Sequence, residues 1–202
     1  MSETTAEPTV VLQSVRKEFG SYVAVEHADF AIRAGEFFSL LGPSGCGKTT
    51  LLKMIAGFEQ PSAGAVLLEG VDVSSVPPHK RNVNTVFQQY ALFPHLSIVD
   101  NVAFGLEMQG VGRAERRERA RRYLERVGRA RYAHHFPHEL SVGMRQRVGI
   151  GRAFVAESPI LLMDEPFGAL DAQTRWVLQT ELLRVWSESK RLVLFVTHDI
   201  HE

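Results

Sequence analysis

Four short stretches of the 202-residue chain carry side chains at spacings suited to chemistry. The first is "GPSGCGKTT", which fits G-x-x-x-x-G-K-[ST] from Gly42 to Thr49. Gly45 and Gly47, with Gly42, Pro43, Ser44 and Cys46 between and before them, allow backbone N–H groups to curl around phosphate oxygens. A helix opening at this point adds the partial positive charge of its N-terminus. Lys48 supplies a mobile cation for β- and γ-phosphates, and Thr49, next to Thr50, offers a hydroxyl to Mg²⁺. The second stretch, "ILLMDEPFGALD", puts Asp164 and Glu165 directly after an apolar run. Carboxylates at the C-terminal end of a parallel strand sit where α/β folds bind ligands. Asp164 is placed to hold Mg²⁺ through water, and Glu165 to orient and polarise an attacking water. The third, "FVTHD", brings His198 out of another buried strand at the same sheet edge, within range of a γ-phosphate. The fourth, "ELSVGMRQRVGIGRAF", reads as a helix that starts at Ser141 and is interrupted by Gly149 and Gly151. Serine is a natural N-cap, so this helix start is a second anion site.

Positioning these residues requires an α/β frame. "TVVLQSV", "ADFAIRA" and "EFFSLLG" alternate as strands, and "TTLLKMIAG" reads as a helix ended by Gly57. "GAVLLEGVDV" reads as a hairpin around Glu69-Gly70, and "NVNTVFQ" as a further strand. "PILLMD" and "RLVLFVTH" are apolar and partly β-branched, as strands buried on both faces are. From Ser97 to Phe154 the pattern is helical, and Ala172–Ser189 is amphipathic. The expected organisation is a core with a β subdomain over residues 1–88 and 156–202, and a helical subdomain over 89–155.

Bulk composition narrows the partners. Lys+Arg and Asp+Glu balance at 23 each, so charge alone predicts neither a nucleic-acid nor a membrane-surface partner. Arg113–Arg131 is arginine-rich, but its apolar residues follow helical spacing and Glu115–Arg119 and Glu118–Arg122 are i,i+4 pairs. It reads as a solvated helix face; no aromatic interleaving supports RNA binding. Cys46 is the single cysteine, which excludes an internal disulfide. No apolar run reaches the roughly 18 residues of a membrane span, so a membrane role is expected to come through a partner.

Together with Gln88 in "VFQQYALFPH", these motifs resemble the ATP-binding subunit of ABC transporters, from about residue 9 to the end of the chain. The resemblance implies a P-loop NTPase (RecA-like) core with an antiparallel β subdomain and an inserted α-helical subdomain, binding ATP and Mg²⁺. By the same resemblance, Phe19 stacks on adenine, and Gln88 meets Mg²⁺ and water and links the site to the helical lobe. Asp171 in "GALD" crosses a dimer interface, while Ser141 and Gly143 touch the γ-phosphate held by the opposite subunit. Implied partners are a second ATP-binding subunit, expected to be identical, transmembrane permease subunits and, indirectly, a substrate-binding protein. The location implied is the cytoplasmic face of the inner membrane, peripheral through the permease.

The family's usual L-S-G-G-Q stands here as "LSVGM". Met144 cannot reach back as the glutamine of an S-x-x-Q capping box does. Val142, as first helical residue, would have the negative φ that valine accepts, so an intact helix start and a more crowded dimer interface are expected. "GMRQR" and "PFGALDAQTR" resemble the nitrate, sulfonate and taurine importers, which gives a small anion as cargo. "YALFPHLSIVDNVAFGL" is similar to sugar, iron or polyamine importers, the alternative cargo classes. A non-hydrolysing regulatory subunit is a further alternative, opposed by intact Glu165 and His198. Family members normally continue past the point where this chain stops, Glu202, so a chain lacking the usual C-terminal end is expected.

Overall fold

The computed structural model describes residues 8–86, 92–168, 170 and 172–199, and only the backbone of Thr174. Gln88 and Asp171, two of the sequence-derived site residues, and Tyr90 in the "YALFPHL" segment lie outside them. The chain forms two compact units. The first comprises residues 1–85, 159–165 and 190–202, and the second 86–158 and 166–189. The sequence expectation placed all of 156–202 in the core, whereas Pro166–Ser189 clusters with the helical unit.

The first unit contains two sheets. One is antiparallel, in the order β2-β1-β4-β5, with β1 Pro8–Phe19, β2 Tyr22–Arg33, β4 Ala63–Leu68 and β5 Val71–Asp72. Alternation along β1 buries Val10 and Leu12, then breaks at Ser14, whose φ of 49° marks a bulge. Asp29 holds the bulge by accepting from both the N–H and the hydroxyl of Ser14, and Val15 returns to the core. The two-residue loop between β4 and β5 has positive φ at both Glu69 and Gly70, as a type I′ hairpin requires.

The second sheet runs in the order β3-β8-β7-β6, with β3 Phe37–Leu41, β6 Val83–Val86, β7 Ile160–Asp164 and β8 Leu192–Thr197. Strands β3, β8 and β7 are parallel. Every residue of β7 and β8 is buried, and all but the last of each, Asp164 and Thr197, are apolar, as strands covered on both faces require. Between the sheets' strands in sequence, α1 (Lys48–Ala56) buries Leu52, Met54 and Ile55 in the cluster that includes Ile160, Leu162, Leu194 and Val196.

The second unit is helical: α2 Ile98–Met108, α3 Arg113–Arg126, α4 Val142–Val155 and α5 Ala172–Ser189. Several arginines of α3 are engaged in ion pairs at its surface. Arg117 forms a bidentate pair with Asp100 at 2.8 and 2.9 Å, and Arg116, Arg119 and Arg122 pair with Glu107, Glu157 and Glu118. The Arg117 guanidinium holds the Asp100 carboxyl below the usual aspartate range. Gly151 has a packing reason, because a Cβ there would overlap the ring of buried Tyr123. Burial pushes the Tyr123 hydroxyl far above its ordinary pKa. Asn101 is fully buried and ties down the turn before α2, accepting from Phe93 N and donating to the carbonyls of Phe93, Leu96 and Ser97.

Candidate functional site

The chain leaves β3 at Leu41, turns through Gly42–Gly47, and enters α1 at Lys48. Gly47 caps α1 in the left-handed conformation, φ 94°, and no side chain caps the helix. Its first N–H groups are therefore left for an external acceptor. A Cβ on Gly47 would overlap the carbonyl oxygen of Ala24 on β2, so glycine is required here for space as well as for backbone conformation. Gly45 also has positive φ, 84°, but opens onto free space.

Lys48 is buried, and its ammonium donates to the Gly42 and Pro43 carbonyls at 2.6 and 2.8 Å. The cation thus sits within its own loop, satisfied by groups that a polyphosphate can replace. Thr49 Oγ1 donates to Asp164 Oδ1 at 2.9 Å, which unites the loop with the end of β7. Burial raises the Asp164 pKa, with the neighbouring Glu165 charge adding to the effect and the Thr49 hydroxyl opposing it. A hydroxyl and a destabilised carboxylate in contact form a donor set that a hard divalent cation fits.

Glu165 adopts φ 43°, and its N–H donates to the Val196 carbonyl on β8. That twist carries its side chain to His198, with Oε1 3.2 Å from Nδ1. His198 follows Thr197, whose hydroxyl accepts from Asp199 N at 3.0 Å and fixes the strand end. One cleft of about 210 Å³ is lined by Ser44, Gly45, Gly47, Lys48, Thr49, Thr50 and Glu165 together with Phe19, Tyr22 and Ala24. The structure thus gathers Phe19, the glycine loop, Lys48, Thr49, Asp164, Glu165 and His198 in the first unit. Sequence reasoning missed Tyr22 and Ala24; their signal was the two-residue turn at Gly20-Ser21, which must bring β2 back beside Phe19.

Ser141 and Gly143 lie in the helical unit. Ser141 is the N-cap of α4, and its Oγ accepts from Met144 N at 3.4 Å. Val142 is the first helical residue, has no positive φ, and is 45% exposed. The helix start is intact although Met144 makes no reciprocal bond. Upstream, Arg145 donates to the Leu140 carbonyl at 2.6 Å and holds the approach to the cap. In the turn before α2, Phe93 is half-buried against Phe104 and below Arg152, while Pro94 and His95 are exposed.

A parallel sheet whose strand ends carry a glycine phosphate loop, a paired hydroxyl and carboxylate, and a glutamate–histidine contact defines a P-loop NTPase. Residues 25–168 match the model of the ABC transporter family. Relatives include proteins named spermidine/putrescine import ATP-binding protein PotA. That of Nitrosomonas eutropha is 51% identical over 191 residues, covering 95% of this chain and 53% of its own. That of Thermobifida fusca is 50% identical over 201 residues, covering 98% and 52%. The chain spans about half the length of the curated relatives it matches. A solved dimer of the ATP-binding cassette MJ0796, described as a post-hydrolysis state bound to ADP and Pi, superposes with a TM-score of 0.84 at 33% identity, covering 95% of this chain and 89% of that one. The chain belongs to the ABC transporter family and has the fold of its ATP-binding cassettes.

Gly47→Ala is expected to weaken ATP binding at least tenfold. It adds a methyl group against the Ala24 carbonyl in a backbone conformation that costs about 1–3 kcal/mol for a side chain. Calorimetric titration with ATP checks this; unchanged affinity would show that the loop rearranges freely.

Proposed function

We propose that the chain is the ATP-binding and hydrolysing part of an ABC importer subunit, working as a head-to-tail dimer beneath a permease. The observation that carries this reading is the single cleft in which Lys48, Thr49 and Glu165 share a wall with Phe19. ATP enters with its base on Phe19, and its phosphates displace the Gly42 and Pro43 carbonyls from the Lys48 ammonium. The first N–H groups of α1 and the glycine loop take the phosphate oxygens. Thr49 and Asp164, with Gln88, would hold Mg²⁺. Bound Mg²⁺ supplies charge neutralisation on the phosphate oxygens. Glu165 orients the attacking water, and His198 steadies the Glu165 carboxylate and reaches the γ-phosphate.

The helix start at Ser141 is a second phosphate site in a separate unit. Two such starts in one chain are used together when Ser141 and Gly143 of one copy close over the nucleotide held by the loop of another, with Asp171 at the interface. The MJ0796 cassette, described as a dimer bound to ADP and Pi, supports the pairing of two copies. Val142, exposed beside the cap, then crowds the closing face. Val142→Gly is expected to raise turnover about fivefold, or about 1 kcal/mol of barrier. Steady-state phosphate release measures it, and a large fall would mean that valine is fitted to the interface.

For the cargo, the relatives' names favour a polyamine over the nitrate or sulfonate that "GMRQR" suggests. No helix among the described residues is long and apolar enough to cross a membrane. Attachment to the cytoplasmic face of the membrane would run through the permease, with the segment that holds Leu92, Phe93, Pro94 and Leu96 as the contact and a substrate-binding protein delivering cargo on the far side. The test is reconstitution with a permease of the polyamine-importer type that the chain binds. ATP-driven uptake of labelled spermidine is expected; uptake of taurine or nitrate instead would overturn the cargo assignment, and no ATP hydrolysis at all would overturn the enzyme.

A further inference from the structure

Phe19 and Tyr22 are directly paired residues of β1 and β2, on either side of the Gly20-Ser21 turn. Residues directly opposite in an antiparallel pair project from the same face. Both rings are exposed, Phe19 by 44% and Tyr22 by 59%, and both line the cleft that holds the phosphate loop. They do not stack on each other, although paired aromatics commonly gain about 0.5–1.5 kcal/mol by doing so. Lys17 lies over one face of the Phe19 ring, 4.6 Å from its centre. It is fixed there by Glu59 at 3.1 Å and by the Gln60 carbonyl at 2.8 Å. One face of Phe19 is therefore closed by an anchored cation, and the open aromatic surface continues onto Tyr22.

We propose that Tyr22 is a second base-binding residue, which with Phe19 forms an aromatic clamp for the nucleobase of the bound nucleotide. The inference rests on the nucleotide-binding reading of the cleft. Its occupant is a base because the clamp is continuous with the phosphate loop, Ser44 to Thr50 lining the same cleft. Among Phe19, Tyr22 and Ala24, the Tyr22 hydroxyl is the one side-chain polar group. The base is consequently held by ring area and not by a hydrogen-bond code. Purines, with the larger π-face, bind better than pyrimidines, and adenine and guanine are poorly distinguished.

The test compares binding of ATP, GTP, CTP and inorganic tripolyphosphate to the chain and to Tyr22→Ala, Tyr22→Phe and Phe19→Ala. Tyr22→Ala is expected to weaken ATP about fivefold to tenfold and leave tripolyphosphate unchanged. Tyr22→Phe should stay within about twofold of the parent. ATP and GTP should bind the parent within about threefold of each other, and CTP more weakly. Equal ATP affinity in Tyr22→Ala would overturn the inference while leaving the phosphate site standing. An equal loss of ATP and tripolyphosphate would overturn it too, by making Tyr22 a support of the hairpin. If the parent binds neither ligand, the nucleotide-binding reading itself falls. A loss in Tyr22→Phe as large as in Tyr22→Ala would replace ring stacking by the hydroxyl and reject the clamp.

Discussion

Glu165→Gln is expected to lower ATP turnover by about 100- to 1,000-fold while ATP binding is kept. The substitution preserves the size of the side chain at the end of β7 and removes the carboxylate that faces His198 Nδ1 at 3.2 Å. General-base contributions run at about 10²–10⁴-fold, so the upper part of the expected loss corresponds to about 4 kcal/mol of barrier. Binding survives because Lys48, the glycine loop and the Thr49–Asp164 pair are untouched. With hydrolysis blocked, the ATP-bound closed dimer accumulates and is visible by sedimentation. Turnover equal to that of the parent would remove Glu165 from its role. Lost binding together with lost turnover would instead show that its carboxylate shapes the cleft.

Arg81→Met is expected to cost about 2–4 kcal/mol of stability, or roughly 4–16 °C in melting temperature for a chain of this size. Arg81 is buried and reaches the C-terminal end of α1. Its Nη1 donates to the Met54 and Ile55 carbonyls at 2.6 and 2.9 Å, and its Nε to the Val76 carbonyl at 2.8 Å. The helix end is where backbone carbonyls lack partners and where a cation is favoured. Burial pulls the guanidinium pKa down, with the Asp72 charge opposing. Methionine fills much of the volume and supplies no donor, which takes the side-chain donor from the Ile55 and Val76 carbonyls and leaves the Met54 carbonyl with the Gly57 N–H. Gly57 belongs to the same arrangement, since a Cβ there would come within 2.5 Å of Arg81 Nε. Thermal denaturation followed by circular dichroism checks the loss. A melting temperature within about 1 °C of the parent would mean that water reaches these carbonyls.

The phosphate-loop geometry of the first unit was legible because its signals are local. The glycine loop between a strand and a helix marks the helix start, and the short, partly β-branched apolar runs mark buried strands. Ser141 and Val142 were legible for the same reason, since an N-cap and its first helical residue are defined by their own backbone. Arg81 was not, because one arginine in "PPHKRNV" carries no sign that it reaches a helix 26 residues earlier in the chain. Gly151 was not, because its reason is the Tyr123 ring on α3. Tyr22 was missed because β1 and β2 run to the turn itself, beyond the apolar alternation that marks them in sequence. The placement of α5 with the helical unit likewise depends on tertiary packing of Leu178, Leu182 and Val185, which its amphipathic pattern allows but does not assign.

The proposed ATPase needs a nucleotide site completed by a second copy. The rate of ATP hydrolysis per chain, measured across a wide range of protein concentration, tests this most directly. If Ser141 and Gly143 of one copy must close over the phosphates held by another, turnover per chain rises with concentration and levels off once dimers dominate. Turnover per chain that is the same at every concentration, from a protein shown to be monomeric throughout, would contradict it.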